Sequence, residues 1–147
     1  MNIPSIGWRE WLCLPDLGIS HIKAKVDTGA RTSALHAFKV EPFDRDGRQF
    51  VRFSIHPFQK DSEYVVTSEA PVVDYRQVTD SGGHREMRYV IETAIRAGDH
   101  QWVAEFTLTN RENMKFRMLL GRTALRGRFL VNAQKSYLVG KIPESQN

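Results

Sequence analysis

Short apolar runs separated by Gly, Pro and Asp turn signals dominate this chain, and they constrain its fold more than any other feature. Ile6 to Leu12 and Ile19 to Val26 flank Pro15-Asp16-Leu17-Gly18. Val40 to Phe43 leads through Asp44-Arg45-Asp46-Gly47, where Asp-Gly favours a hairpin, into Gln49 to Phe58. Glu63 to Thr67 and Pro71 to Val78 follow, and Asp80-Ser81-Gly82-Gly83-His84 turns the chain into Arg85 to Arg96. Gly98-Asp99 turns again into Gln101 to Thr109. Met118 to Leu120, Phe129 to Val131 and Ser136 to Val139 are the last strand candidates. Helical periodicity is weak, and only Thr123 to Arg126, after Gly121, reads as a short helix. The pattern predicts an all-β sandwich or barrel.

A chain of 147 residues, 41% hydrophobic, supports one domain with its own core. Residues 6–141 are expected to form it, with 142–147 a loose tail. One cysteine, Cys13, rules out an internal disulfide and fits a reducing compartment. Met1 to Gly18 carries Arg9, Glu10 and Asp16 and lacks the apolar run of a secretory signal. No window approaches the length of a membrane span. A soluble, cytoplasmic protein without membrane association is expected.

The formal charge of +4 permits acidic partners without requiring nucleic acid, for which no recognised motif is present. Its distribution says more. From Leu108 to Lys135 seven basic residues stand against one acid, Glu112. Such a run is either a solvated face or a site for an anion.

The chemistry-bearing stretch is Ala24-Lys25-Val26-Asp27-Thr28-Gly29-Ala30. A carboxylate at the end of a strand, directly against Thr-Gly, is a turn or half of an active site. Asp opens turns by bonding the backbone two residues on, and Gly supplies permissive angles. Alone, the triplet is weak evidence. The second half is Arg117-Met118-Leu119-Leu120-Gly121-Arg122, an apolar run ending in Gly-Arg before the one short helix.

Together these two segments resemble the retropepsin-like aspartic proteases. The resemblance implies a closed β-barrel with one short C-terminal helix, in which the late apolar strand threads behind the aspartate loop. Asp27, Thr28 and Gly29 would be its catalytic residues. Further stretches narrow the match: Gly7-Trp8-Arg9-Glu10, Leu14 to Ile19, Ala24 to His36, Val78 to Gly82, Asn110 to Met114 and Leu119 to Leu125. These look like a bacterial family labelled ATP-dependent zinc proteases, and they cover roughly residues 6 to 141. The resemblance also implies a partner, since members resemble companions of RimK-type ATP-grasp ligases that add glutamates to protein ends.

Fold and label imply different chemistries. A zinc peptidase usually carries two His one helical turn apart with a Glu between. The five His here are scattered, and no pair has that spacing. Nor is there a phosphate-binding G-x-x-x-x-G-K-[ST] loop. The expectation is chemistry without a metal or nucleotide cofactor. Aspartic chemistry needs two carboxylates sharing a proton, one activating water and one polarising the scissile carbonyl. With one Asp-Thr-Gly per chain, that mechanism requires a homodimer with Asp27 of each copy at the two-fold axis.

Retropepsins commonly carry an acid after Asp-Thr-Gly-Ala, and here that position is Arg31. Arg31 and Arg122, with Arg88 or Arg111, could line a cationic cleft that holds an acidic peptide or protein substrate through bidentate pairs. Glu69 and Glu86 are the acids that could instead lie between the arginines. Ala30, and Ser81 and Gly82 at the tip of a hairpin flap with arms Val72 to Val78 and Met87 to Ile95, complete the expected substrate contacts. The alternative is a non-catalytic dimeric module that binds the acidic tail of such a ligase or its product.

Overall fold

The computed structural model describes residues 3–58, 63–79, 82–110 and 115–140. The strand β1 (Ser5–Gly7) leads into β2 (Arg9–Leu14) and, through a 3-10 turn at Pro15–Leu17, into β3 (Ile19–Asp27). In β3, Ile22, Ala24 and Val26 face the core while Ser20 and Lys25 are exposed, the period-two burial of a strand with one covered face. β4 (Ser33–His36) follows, then β5 (Lys39–Arg45), β6 (Arg48–Ile55) and β7 (Val66–Pro71). β8 (Asp74–Thr79) and β9 (Arg85–Ala97) form an antiparallel pair, and β9 pairs again with β10 (His100–Thr109). β11 (Met118–Gly121) runs directly into the four-residue helix α1 (Arg122–Leu125), and β12 (Leu130–Asn132) is the last strand among the described residues.

The fold is all-β with this one short α-helix, as the turn spacing predicts, and its strands close on themselves. The order β10-β4-β11-β3-β2-β9 returns to β10 through the β9–β10 pairing, making a closed ring with β8 attached outside β9. β5, β6 and β7 form a separate antiparallel sheet, and β1 pairs in parallel with β12. One apolar cluster fills the interior, built on fully buried Leu12, Leu14, Ile22, Leu35, Phe53, Ile91, Ile95, Phe106 and Met118. Trp11 and Trp102 are core residues as well.

Two strand expectations need correction. Ser33–His36 is a strand that is not among the candidates read from the sequence. It is buried at all four positions because β10 covers one edge and β11 the other. Ser136 to Val139 is not a strand. It is a strap: the Tyr137 amide donates to the Arg9 carbonyl (3.0 Å), and the next three amides go to a carboxylate. Glu10, fully buried, accepts N–H donors from Gly7 (2.6 Å), Leu138 (2.8 Å), Val139 (3.1 Å) and Gly140 (2.9 Å). The strap lies so close to β2 that a Cβ on Gly140 would sit 1.6 Å from the Trp11 carbonyl oxygen.

Candidate active site

Asp27 is the last residue of β3, and β11 determines where its loop sits. β11 lies parallel to β3, with Gly121 beside Asp27, and antiparallel to β4, with Leu119 beside Ala34. The late apolar strand thus runs between the strand entering the aspartate loop and the strand leaving it. Close passage is possible because residue 121 is glycine: a Cβ there would lie 2.7 Å from the Thr32 carbonyl carbon and 3.0 Å from the Ala30 oxygen.

The loop is fastened by polar contacts at successive residues. The Gly121 amide donates to Ser33 Oγ (3.0 Å), and the Arg122 amide donates to the Ala30 carbonyl (2.8 Å). The Thr123 amide (3.2 Å) and Oγ1 (2.8 Å) both donate to the Arg31 carbonyl. Arg122 adds its side chain, with Nη1 donating to the Gly29 carbonyl at 3.2 Å. Within the loop, Asp27 Oδ1 accepts the Gly29 amide (2.9 Å) and the Asp27 carbonyl accepts the Ala30 amide (3.2 Å). One carboxylate oxygen is therefore oriented by the backbone of its own turn. Asp27 is half-buried, and Thr28 and Gly29 beside it are exposed.

The other expected site residues separate into groups. Ala30 and Arg31 belong to this loop, and Arg122 braces it from α1. Arg88 lies elsewhere: it is buried on β9, with Nε donating to Glu86 Oε1 (2.5 Å) and Nη1 reaching Thr107 Oγ1 (3.3 Å). Its guanidinium is committed inside the fold and is not part of an open cleft. Gly82 is exposed beyond the end of β8. Ser81 and Arg111 lie outside the described residues. Neither acid considered as a bridge between Arg31 and Arg122 takes that place. Glu86 pairs with Arg88 and accepts Thr109 Oγ1, and Glu69 pairs with Arg45 and Arg52 on the separate three-stranded sheet. Those two guanidinia hold the Glu69 carboxyl below its usual range, the Arg52 hydrogen bonds first.

Two residues that fasten the loop were not anticipated from sequence. Ser33 and Thr123 carry no charge, though each lies in a stretch that carries the family resemblance and follows its half of the pattern within a few residues. Among the described residues no three His, Cys, Asp or Glu side chains are grouped to hold a metal ion. No helix among the described residues is long and apolar enough to cross a membrane.

Comparison with known proteins agrees with this geometry. The family model described as retropepsin-like aspartic endopeptidase RimB matches residues 5–141. That description lends no support to the label of ATP-dependent zinc protease. A probable alpha-L-glutamate ligase of Parasynechococcus marenigrum (strain WH8102) is 45% identical over 141 residues, 96% of this chain. A protein of the same name from Shewanella halifaxensis (strain HAW-EB4) is 45% identical over 136 residues, 92% of the chain. The chain spans only 30% of the length of each. A crystal structure of a Legionella pneumophila protein of unknown function superposes with a TM-score of 0.77 at 24% identity, covering 92% of this chain and 97% of that one. A ring of strands with a late apolar strand set against an Asp-Thr-Gly loop, and a family match over nearly all of its length, lead to one conclusion: the chain belongs to the RimB-like family of retropepsin-like aspartic endopeptidases.

Proposed function

We propose that the chain is an aspartic peptidase that works as a homodimer. The observation that carries this reading is the Asp27 loop itself. A single half-buried carboxylate, oriented by the Gly29 amide, sits on a turn that Gly121, Arg122 and Thr123 fasten from across the chain. Two such loops facing each other across a two-fold axis would bring two carboxylates together, and the pair would hold one proton. The ionised Asp27 takes a proton from water as the water oxygen attacks the scissile carbonyl carbon. The protonated Asp27 donates a hydrogen bond to the carbonyl oxygen, then its proton moves toward the tetrahedral oxyanion. Collapse of that intermediate breaks the C–N bond: the leaving amine takes a proton from one Asp27, and a hydroxyl of the intermediate returns one to the other.

The substrate we assign is an acidic, glutamate-rich peptide or protein tail. The likeness to proteins named alpha-L-glutamate ligases supports it, because peptide-linked glutamate is the product such a name describes. The same likeness favours a second reading, a dimeric module that binds such tails for a ligase without cutting them. Light scattering with a peptide-cleavage assay, on native chain and Asp27→Asn, separates the two. A dimer that cleaves, with cleavage lost in Asp27→Asn and binding retained, supports the peptidase. A strict monomer at every concentration would refute it.

A further inference from the structure

A cleft of about 390 Å³ opens behind the aspartate loop, between α1 and the outer side of β10. Its lining includes Arg31 and Thr32 of the loop, Arg126 and Arg128 beyond α1, Arg76 of β8, and Trp102. That volume lies in the lower range of small-ligand sites. Four arginines converge on it from three separate segments, and they are not equivalent. Arg76 is already neutralised, bonding Glu105 at 2.5 Å with Asp74 at 3.3 Å. None of the ion pairs among the described residues engages Arg31, Arg126 or Arg128, and all three are exposed.

We propose that this cleft binds side-chain carboxylates of an acidic peptide, with Arg31, Arg126 and Arg128 as the recognition groups. Like charges gathered around one concavity repel each other unless an anion lies among them. The guanidinium fork matches a carboxylate in two parallel hydrogen bonds. Arg128 is also held in place, its guanidinium 5.8 Å from the centre of the Trp102 ring. Trp102 itself is only 6% exposed, so the ring on which Arg128 rests is fixed by the core.

Glu92 and Glu105 share the same lining and favour a peptide over a polyphosphate chain. Evenly spaced phosphates would be driven against these carboxylates. Glutamate carboxylates, on rotatable side chains, can turn toward the free arginines and away from the acids. Arg31, four residues past Asp27, belongs both to the aspartate loop and to the cleft lining, so the two adjoin there. The inference deepens the peptidase reading by locating where its acidic substrate is recognised, and it rests on that reading for the peptide's path.

The test is calorimetric binding of pentaglutamate to the full chain, beside pentaglutamine, inorganic phosphate and a single-stranded oligonucleotide. Arg126→Gln/Arg128→Gln is compared with Asp27→Asn, each checked for an unchanged melting temperature. We expect pentaglutamate binding to weaken by about tenfold or more in the double variant. In Asp27→Asn it stays within about twofold. Native chain should bind pentaglutamine at least about tenfold more weakly than pentaglutamate, and affinity should fall with salt. Equal binding of pentaglutamate by native chain and the double variant overturns the proposal. So does absence of pentaglutamate binding, or tighter binding of phosphate or the oligonucleotide. Should the double variant fail to fold, Arg31→Gln gives the same comparison from the other wall. Failure of the peptidase reading appears differently, as binding intact with no cleavage by native chain.

Discussion

Replacing Glu10 with alanine should remove more stability than any exposed change in this chain, because four backbone amides share that carboxylate. The donors from Gly7 and Gly140 are wholly buried, and those from Leu138 and Val139 are partly so. A buried donor left without an acceptor costs about 1–3 kcal/mol, and a partly hydrated one nearer 0.5–1 kcal/mol. Two of each give roughly 3–8 kcal/mol, and water entering the space vacated by the side chain favours the lower half, near 4 kcal/mol. That is a large share of the roughly 5–15 kcal/mol that holds a domain folded. At about 2–4 °C per kcal/mol for a chain of this size, the melting temperature should drop by roughly 10–15 °C. Glu10→Gln should lie between the two, since one of its two terminal atoms becomes a donor facing amide donors. Each Glu10 oxygen serves two of the four amides, so about half of the loss is expected. Thermal melts of the three proteins by circular dichroism are the assay. A Glu10→Ala melting temperature within about 2 °C of the native value would refute the reasoning, and would mean that the strap contributes little to the fold.

Two further outcomes follow from contacts at the loop and on the outer sheet. Gly121→Ala drives a methyl group to within 2.7 Å of the Thr32 backbone, where nothing soft can yield. It should destabilise by about 1–3 kcal/mol and, on the peptidase reading, abolish cleavage while the ring of strands survives, which a melt and a peptide assay measure together. The Glu69 carboxyl, lowered by Arg52 and Arg45, stabilises the three-stranded sheet above the ordinary carboxylate range and loses that contribution as pH falls through its depressed native value. Native chain should therefore lose part of its stability lead over Glu69→Gln on acidification, and melts across acidic pH would expose a lead that does not shrink.

The sequence makes the site legible where chemistry forces a residue type and hides it where pairing decides. Asp27, Gly29, Gly121 and Arg122 could be read because a presented carboxylate, a tight turn, a close strand crossing and a bracing cation each need one kind of side chain. The helix at Arg122–Leu125 was within a residue of expectation for the same reason. Ser33–His36 was hidden because its strand character comes from neighbours on both edges, not from its own composition. Arg88 misled because a basic residue on an alternating strand reads as surface, while Glu86 and Thr107, on its own and the adjacent strand, supply partners that permit burial. The Leu108 to Lys135 run contains Arg126 and Arg128, yet only folding shows that these two, and not Arg88, line one cleft with Arg31.

The bonds that shape the aspartate loop also set the order in which the chain can become competent. Gly121 meets Ser33 and Thr123 meets Arg31 across separations of 88 and 92 residues. During synthesis the Asp27 segment is therefore complete long before β11 arrives to define its path. Closing so long an interval is a late and slow step in folding, since its entropy cost comes before its contacts repay it. A chain interrupted before Gly121 carries the whole Asp-Thr-Gly sequence and lacks the geometry around it. The last part made is the part that arms the first.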